Sequence, residues 1–344
     1  MSAARALRLV AAACALAIAA QGSGEPVAPK EHLRPPDQTF LTYPEWFLVH
    51  SPAEYAVYVR DHAPSGFPFW GHVRQFWQGY ATVREAIRDY PFNFGYHVMI
   101  VVIGSSTTVE YLLRLAYETL VGRLTELTAT HGMTEEDRYG ARVAQDYVDF
   151  IRVLPWYEYD FAGKLAGLWR DTSLWGPDVL RKWERKYALT TEYAIKAAYG
   201  WLIKKATKAS YDEPLPVTAV LVDRLPADGG AALPELKVLE RRADGSVLVT
   251  VPRYEAFKVY AAALAKRGAN FLEIAGNRSG ILVTVLAPRG WRSARGDAKL
   301  LFTQPILTRP AEERVAVVVP VASLAALLLE LDRPGIQLEH VYDY

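Results

Sequence analysis

Val247-Leu248-Val249-Thr250-Val251-Pro252 and Val315-Ala316-Val317-Val318-Val319-Pro320 decide the fold. Each is an apolar strand closed by proline and followed by a helix-patterned run. Each run leads through a glycine, Gly268 or Gly335, to a second strand carrying Leu272-Glu273 or Leu338-Glu339. Strand, helix and strand in that order is a βαβ unit, and here it occurs twice. The expectation is a duplicated βαβ with both copies in one sheet. Val217 to Val222, Leu236 to Glu240, Ile281 to Leu286 and Leu300 to Thr303 read as further strands. Ile281 to Leu286 and Val315 to Val319 do not alternate with polar residues, so both faces of that sheet need cover. The helix from Ala322 to Leu331 carries few polar residues and is expected to be buried on more than one side. The cover expected is the helical half of the chain, with a second copy as the alternative.

The chain ahead of these strands has another character. Eight of the nine tryptophans, sixteen of the twenty tyrosines and six of the seven histidines precede residue 212. Asp212-Glu213-Pro214-Leu215-Pro216 favours an extended connection, which divides the chain into a helical domain over 21–212 and an α+β domain over 213–344. Ser51-Pro52-Ala53-Glu54 has the form of a capping box, which predicts a helix from Pro52 that stops before Pro64. Further helices are expected from Trp70 to Asp89, from Thr107 to Thr128 on a 3.6-residue apolar rhythm, and from Thr134-Glu135-Glu136-Asp137 to Val153. Phe161 to Arg170, Pro177 to Tyr187 and Thr191 to Ser210 complete an aromatic-rich bundle. Val98 to Ile103 is its most apolar run. Extending it to bilayer length takes in His97, or Glu110 and Arg114, so a buried core segment is the preferred reading over a transmembrane one.

The duplicated region resembles ferredoxin-like domains in topology alone, over about a third of the chain. That likeness carries over no site residue.

Met1 to Ala20 has basic Arg5 and Arg8, an apolar stretch and small residues before Gln21, the form of a cleaved signal peptide. Export is therefore expected, to the periplasm or the medium, with an uncleaved N-terminal anchor as the alternative. Cleavage removes Cys14, the sole cysteine, and with it any disulfide, zinc-thiolate or cysteine nucleophile. Lys+Arg number 39 against 38 Asp+Glu, a balance that excludes an electrostatic case for nucleic acid.

Chemistry has two candidate locations. Glu110, Asp146 and Asp149 with His97 are carboxylates and a histidine that converge if the helices holding Glu110 and Asp146 form an antiparallel hairpin. Such a set suits general acid/base work or a metal. The plainer reading is ion pairing on a solvated face at four-residue spacing, Glu110 with Arg114 and Glu118 and Arg142 with Asp146, and no metal or cofactor is assigned. Trp46, Trp70, Tyr96 and Trp156 sit in four segments where rings cluster beside a proline, which suits an apolar ligand or the closing of the bundle ends. Gly276-Asn277-Arg278-Ser279-Gly280 reads as hairpin turn chemistry. No nucleophile elbow, phosphate loop or His-Glu-x-x-His is present. The leading expectation is a non-enzymatic binding or interaction protein of the cell envelope. Its expected partners are an apolar ligand, an envelope protein, the membrane surface or a second copy. An enzyme built on the carboxylate and histidine set is the alternative.

Overall fold

The computed structural model describes residues 25–208, 215–226 and 233–343. The expected signal peptide over residues 1–20 and the expected connection at Asp212-Glu213-Pro214 lie outside the described residues. The fold is α+β, with helices first and then two antiparallel four-stranded sheets. Two compact units share the chain. One takes in the described residues up to Pro44, Gln78–Val98 and those beyond Pro214; the other takes in Glu45–Trp77 and those of Met99–Glu213.

In the first unit, β1 (Val217–Val222), β2 (Lys237–Arg241), β3 (Val247–Pro252) and β4 (Phe271–Ile274) form one sheet in the order β2-β3-β1-β4. β5 (Gly280–Pro288), β6 (Lys299–Pro305), β7 (Glu312–Pro320) and β8 (Gln337–Val341) form another in the order β6-β7-β5-β8. The strands ending at Pro252 and Pro320 therefore lie in different sheets, and the single ferredoxin-like sheet expected from the repeat does not form. The cause is the strand between each pair of crossover strands. β1 pairs antiparallel with both β3 and β4, and β5 with both β7 and β8, so each repeat satisfies its own ladder. Gly268 and Gly335, with φ of 83° and 82°, make the turn before the last strand of each sheet. The turn at Ala275 and Gly276 (φ 50° and 85°) closes on an Ile274–Asn277 pair; the chain then enters the second sheet, so no hairpin joins β4 to β5.

One apolar core joins the two sheets: Val220, Val249 and Val251 with Ile281, Val283, Val317 and Val319, packed with Phe257 and Leu264 of α8 (Glu255–Lys266) and Leu324 and Leu328 of α9 (Leu324–Leu331). The opposite faces are covered from the N-terminal side of the chain. Ala28, with Val27 and Leu33, packs on Ala219, Leu221 and Leu248. The buried Glu273 carboxylate accepts the amides of Val27 at 3.0 Å and Ala28 at 2.8 Å and pairs with Arg278 at 2.7 Å. Thr39 donates to the Tyr342 carbonyl at 2.8 Å and accepts the Leu282 amide at 3.0 Å. Tyr43 donates to Gln304 at 2.6 Å and meets the Phe302 ring edge-on.

Several helices differ from their sequence-based bounds. α1 (Gln38–Tyr58) runs through both Pro44 and Pro52 instead of starting at Ser51, because Ser51 and Glu54 are engaged elsewhere. α2 spans Phe69–Ala86. α3 (Phe94–Tyr117) starts earlier than Thr107 and continues through a wide turn, Glu118–Gly122, into α4 (Arg123–Glu126). α5 (Glu135–Ile151) has the reciprocal Thr134–Asp137 cap that its sequence announces. α6 spans Phe161–Asp171, and α7 (Val179–Lys208) is one helix where two were expected, since Ala188-Leu189-Thr190 contains no breaker. The expectation that Val98 to Ile103 is buried is corrected: Ile100 is buried, but Val98, Met99, Val101 and Val102 are exposed. The segment is apolar around its whole circumference, and only one side of it packs.

Candidate functional site

The second unit holds charge inside and apolar side chains outside. α3–α4 and α7 run antiparallel and are joined by ion pairs along their length. Lys196 meets Glu110 at 3.0 Å and Glu192 at 2.9 Å, and Arg114 pairs with Glu192. Arg185 binds Glu118 through both guanidinium nitrogens, at 2.9 and 3.1 Å. Arg181, 2% exposed, reaches Glu184 at 3.1 Å, Asp137 at 2.9 Å and the Gly122 carbonyl at 3.1 Å. Glu136, fully buried, holds Lys182 at 3.1 Å and Lys186 at 3.3 Å. Burial alone would raise the Glu192 carboxyl, but Arg114 and Lys196 outweigh it and hold the group well below the ordinary range. Buried pairs of this kind are tolerated only when each charge is met, and here each has at least one partner.

The outward arcs of the same helices are apolar. Leu113, Leu120 and Leu124 face out from α3–α4, and Leu127 just beyond is 79% exposed. Trp183, Tyr187, Ile195, Trp201 and Leu202 do so from α7, and Trp175 before it is 73% exposed. The continuous helix Phe94–Glu126 has 33 residues, and its most apolar 18-residue window has a mean hydropathy of 1.5 and is only 17% buried. At 1.5 Å per residue that is about 50 Å of helix. By length and composition it could cross a membrane. α5, which packs on α7, instead turns Arg138, Arg142, Asp146 and Asp149 to solvent, so this unit has water-facing and apolar sides beside one another.

A second polar cluster lies deep in the same unit. Ser51 Oγ is 3.0 Å from His72 Nδ1 and 2.7 Å from the Tyr111 hydroxyl, and His72 Nε2 is 3.6 Å from Glu54. Ser51, Glu54, His72 and Tyr111 are all buried, and the His72 ring stacks on Phe67 at 4.6 Å. Serine, histidine and carboxylate are linked here as in a hydrolase, but all three are buried and the His72 ring packs against Phe47 and Phe67. The arrangement works as an internal strut tying α1, α2 and α3 together. Reading Ser51 and Glu54 as a cap concealed it; His72, one helix away, was the available signal.

The residues expected to carry chemistry each have local partners. Glu110 pairs with Arg114 and Lys196, Asp146 with Lys164 at 2.6 Å and the Tyr159 hydroxyl at 2.7 Å, and Asp149 with Arg152 at 3.2 Å. His97 bonds the Tyr80 hydroxyl at 2.8 Å and stacks on Phe92. The helix paired with α3 at Glu110 is α7, not the expected α5. Among the described residues, no group of three or more His, Cys, Asp or Glu is placed to hold a metal ion. Trp46 is buried beside His50, and Trp156 is half-buried and stacked on Tyr199. The Tyr96 hydroxyl lies 3.4 Å from Thr42, while Trp70 is exposed. The four aromatic candidates thus have different surroundings. Comparison with protein-family models gives no match, and neither curated proteins nor solved structures give one.

Proposed function

We propose that this is an exported, non-enzymatic interaction protein of the cell envelope whose helical unit docks on a lipid bilayer through the outward faces of α3–α4 and α7. The carrying observation is the inverted polarity of that unit, with paired charges buried between the helices and leucine and tryptophan turned outward. Soluble monomers rarely expose apolar patches beyond a few hundred Å². A helical layer with Trp and Leu on one side and charge on the other suits the membrane interface, where the rings sit at headgroup level. The water-facing charges of α5, beside α7, favour docking on one leaflet over spanning it. Export rests on the leader-like form of residues 1–20.

The test is flotation of the full mature chain with phospholipid vesicles. The chain should float with them and remain bound in high salt, because the attraction is apolar rather than electrostatic. Leu113→Glu combined with Leu120→Glu should leave it in the dense fraction. A wild-type chain that stays dense as a monomer would sink the proposal. A dense wild-type dimer would assign the same face to a second copy instead.

A further inference from the structure

At the C-terminal end of the apolar helix lies an open hollow of about 510 Å³, lined by Tyr58, Asp61, His62, Ser65, Arg123 and Glu126 among others. Its volume falls within the roughly 300–1,000 Å³ of small-molecule sites. Three features give it chemistry. The Arg123 guanidinium and the Asp61 carboxylate are both solvent-facing, and neither is ion-paired among the described residues. Glu126 adds a second carboxylate, which takes the Ser65 hydroxyl as a hydrogen-bond donor. The His62 ring stacks on Tyr58 at 4.6 Å with 16° between planes, making an aromatic wall. A free cation and two carboxylates around one hollow complement a ligand that carries both an anion and a cation.

Leu124 and Leu127, among the most exposed leucines of the apolar face, flank Arg123 and Glu126 in sequence. We infer that the hollow binds the zwitterionic headgroup of a phospholipid. Arg123 takes the phosphate, and Asp61, Glu126 and the Tyr58–His62 wall take the ammonium group. This rests on the membrane docking proposed above, because only then is the hollow level with headgroups. Arginine meets phosphate through paired N–H donors, and ammonium groups are held by carboxylates and ring faces.

The experiment uses the full mature chain dispersed in detergent. Native mass spectrometry measures adducts with short-chain phosphatidylethanolamine, short-chain phosphatidylglycerol and free phosphoethanolamine. The ethanolamine lipid should bind about tenfold more tightly than the glycerol lipid. At solvent-facing positions and without loss of folding, Asp61→Asn should remove that preference, whereas Arg123→Gln should weaken both lipids about tenfold, since both carry the phosphate. Equal binding of the two lipids, a preference that survives Asp61→Asn, or lipid binding that Arg123→Gln leaves unchanged overturns the site. Free phosphoethanolamine binding as tightly as the lipid overturns the lipid as its occupant. Flotation is read separately, so a chain that does not float but keeps the headgroup preference counts against membrane docking and not against the hollow.

Discussion

Asp343 is buried, 4.0 Å from Arg253, and its burial pushes the carboxyl up from an ordinary 3.8 to about 7, with Arg253 pulling the other way. Below about pH 4 folded and unfolded chains both hold this proton; between about 4 and 7 the unfolded chain releases it while the fold keeps it. Stability should therefore fall as pH rises through that window and level off above it. Asp343→Asn should flatten the slope and raise the melting temperature at pH 8, as thermal melts across pH would read. The acids named from sequence behave differently. Asp146 is half-exposed in its pair with Lys164, so Asp146→Asn should cost no more than about 1 kcal/mol. Arg181→Met, which strips the buried Asp137 and Glu184 of their shared partner, should cost about 3–5 kcal/mol in denaturant unfolding. Sequence spacing showed that Glu110, Arg114 and Glu118 line up at four-residue intervals. It did not show that their partners come from residues 185 to 196, because ion-pair partners across helices leave no local pattern.

Element types were more legible than element ends. Apolar runs closed by proline and followed by helical rhythm located β3, β7 and both crossover helices, and the Thr134 cap located α5. Proline misled at Pro52, which local preference makes the first residue of a helix and which lies inside α1. The order of strands and helices was legible and the single duplicated sheet was not formed, since which strand a β-strand pairs with is a long-range matter. Gly104 shows how closely the helices approach: a Cβ there would lie 2.2 Å from the Phe76 ring. Gly104→Val should separate α3 from α2 and destabilise the chain by about 1–3 kcal/mol, read as a shifted urea midpoint with an unchanged slope.

The whole molecule combines a sheet unit packed in the ordinary way with a helical unit whose polarity runs the other way. Overall apolar content sees none of this, because composition counts residues without saying which side of a helix they occupy. The bond from Thr39 to the Tyr342 carbonyl spans 303 positions, and those from the Val27 amide to Glu273 span 246. A chain that emerges N-terminus first releases Val27 and Thr39 almost at the start and their partners near the end. The opening segment therefore waits, unclosed, until synthesis is nearly complete. Nascent chains arrested before β8 emerges should leave Thr39 and its neighbours open to limited proteolysis, and release of the full chain should close them. Protection of that segment in the arrested chain would mean that it finds its seat before the last strand exists.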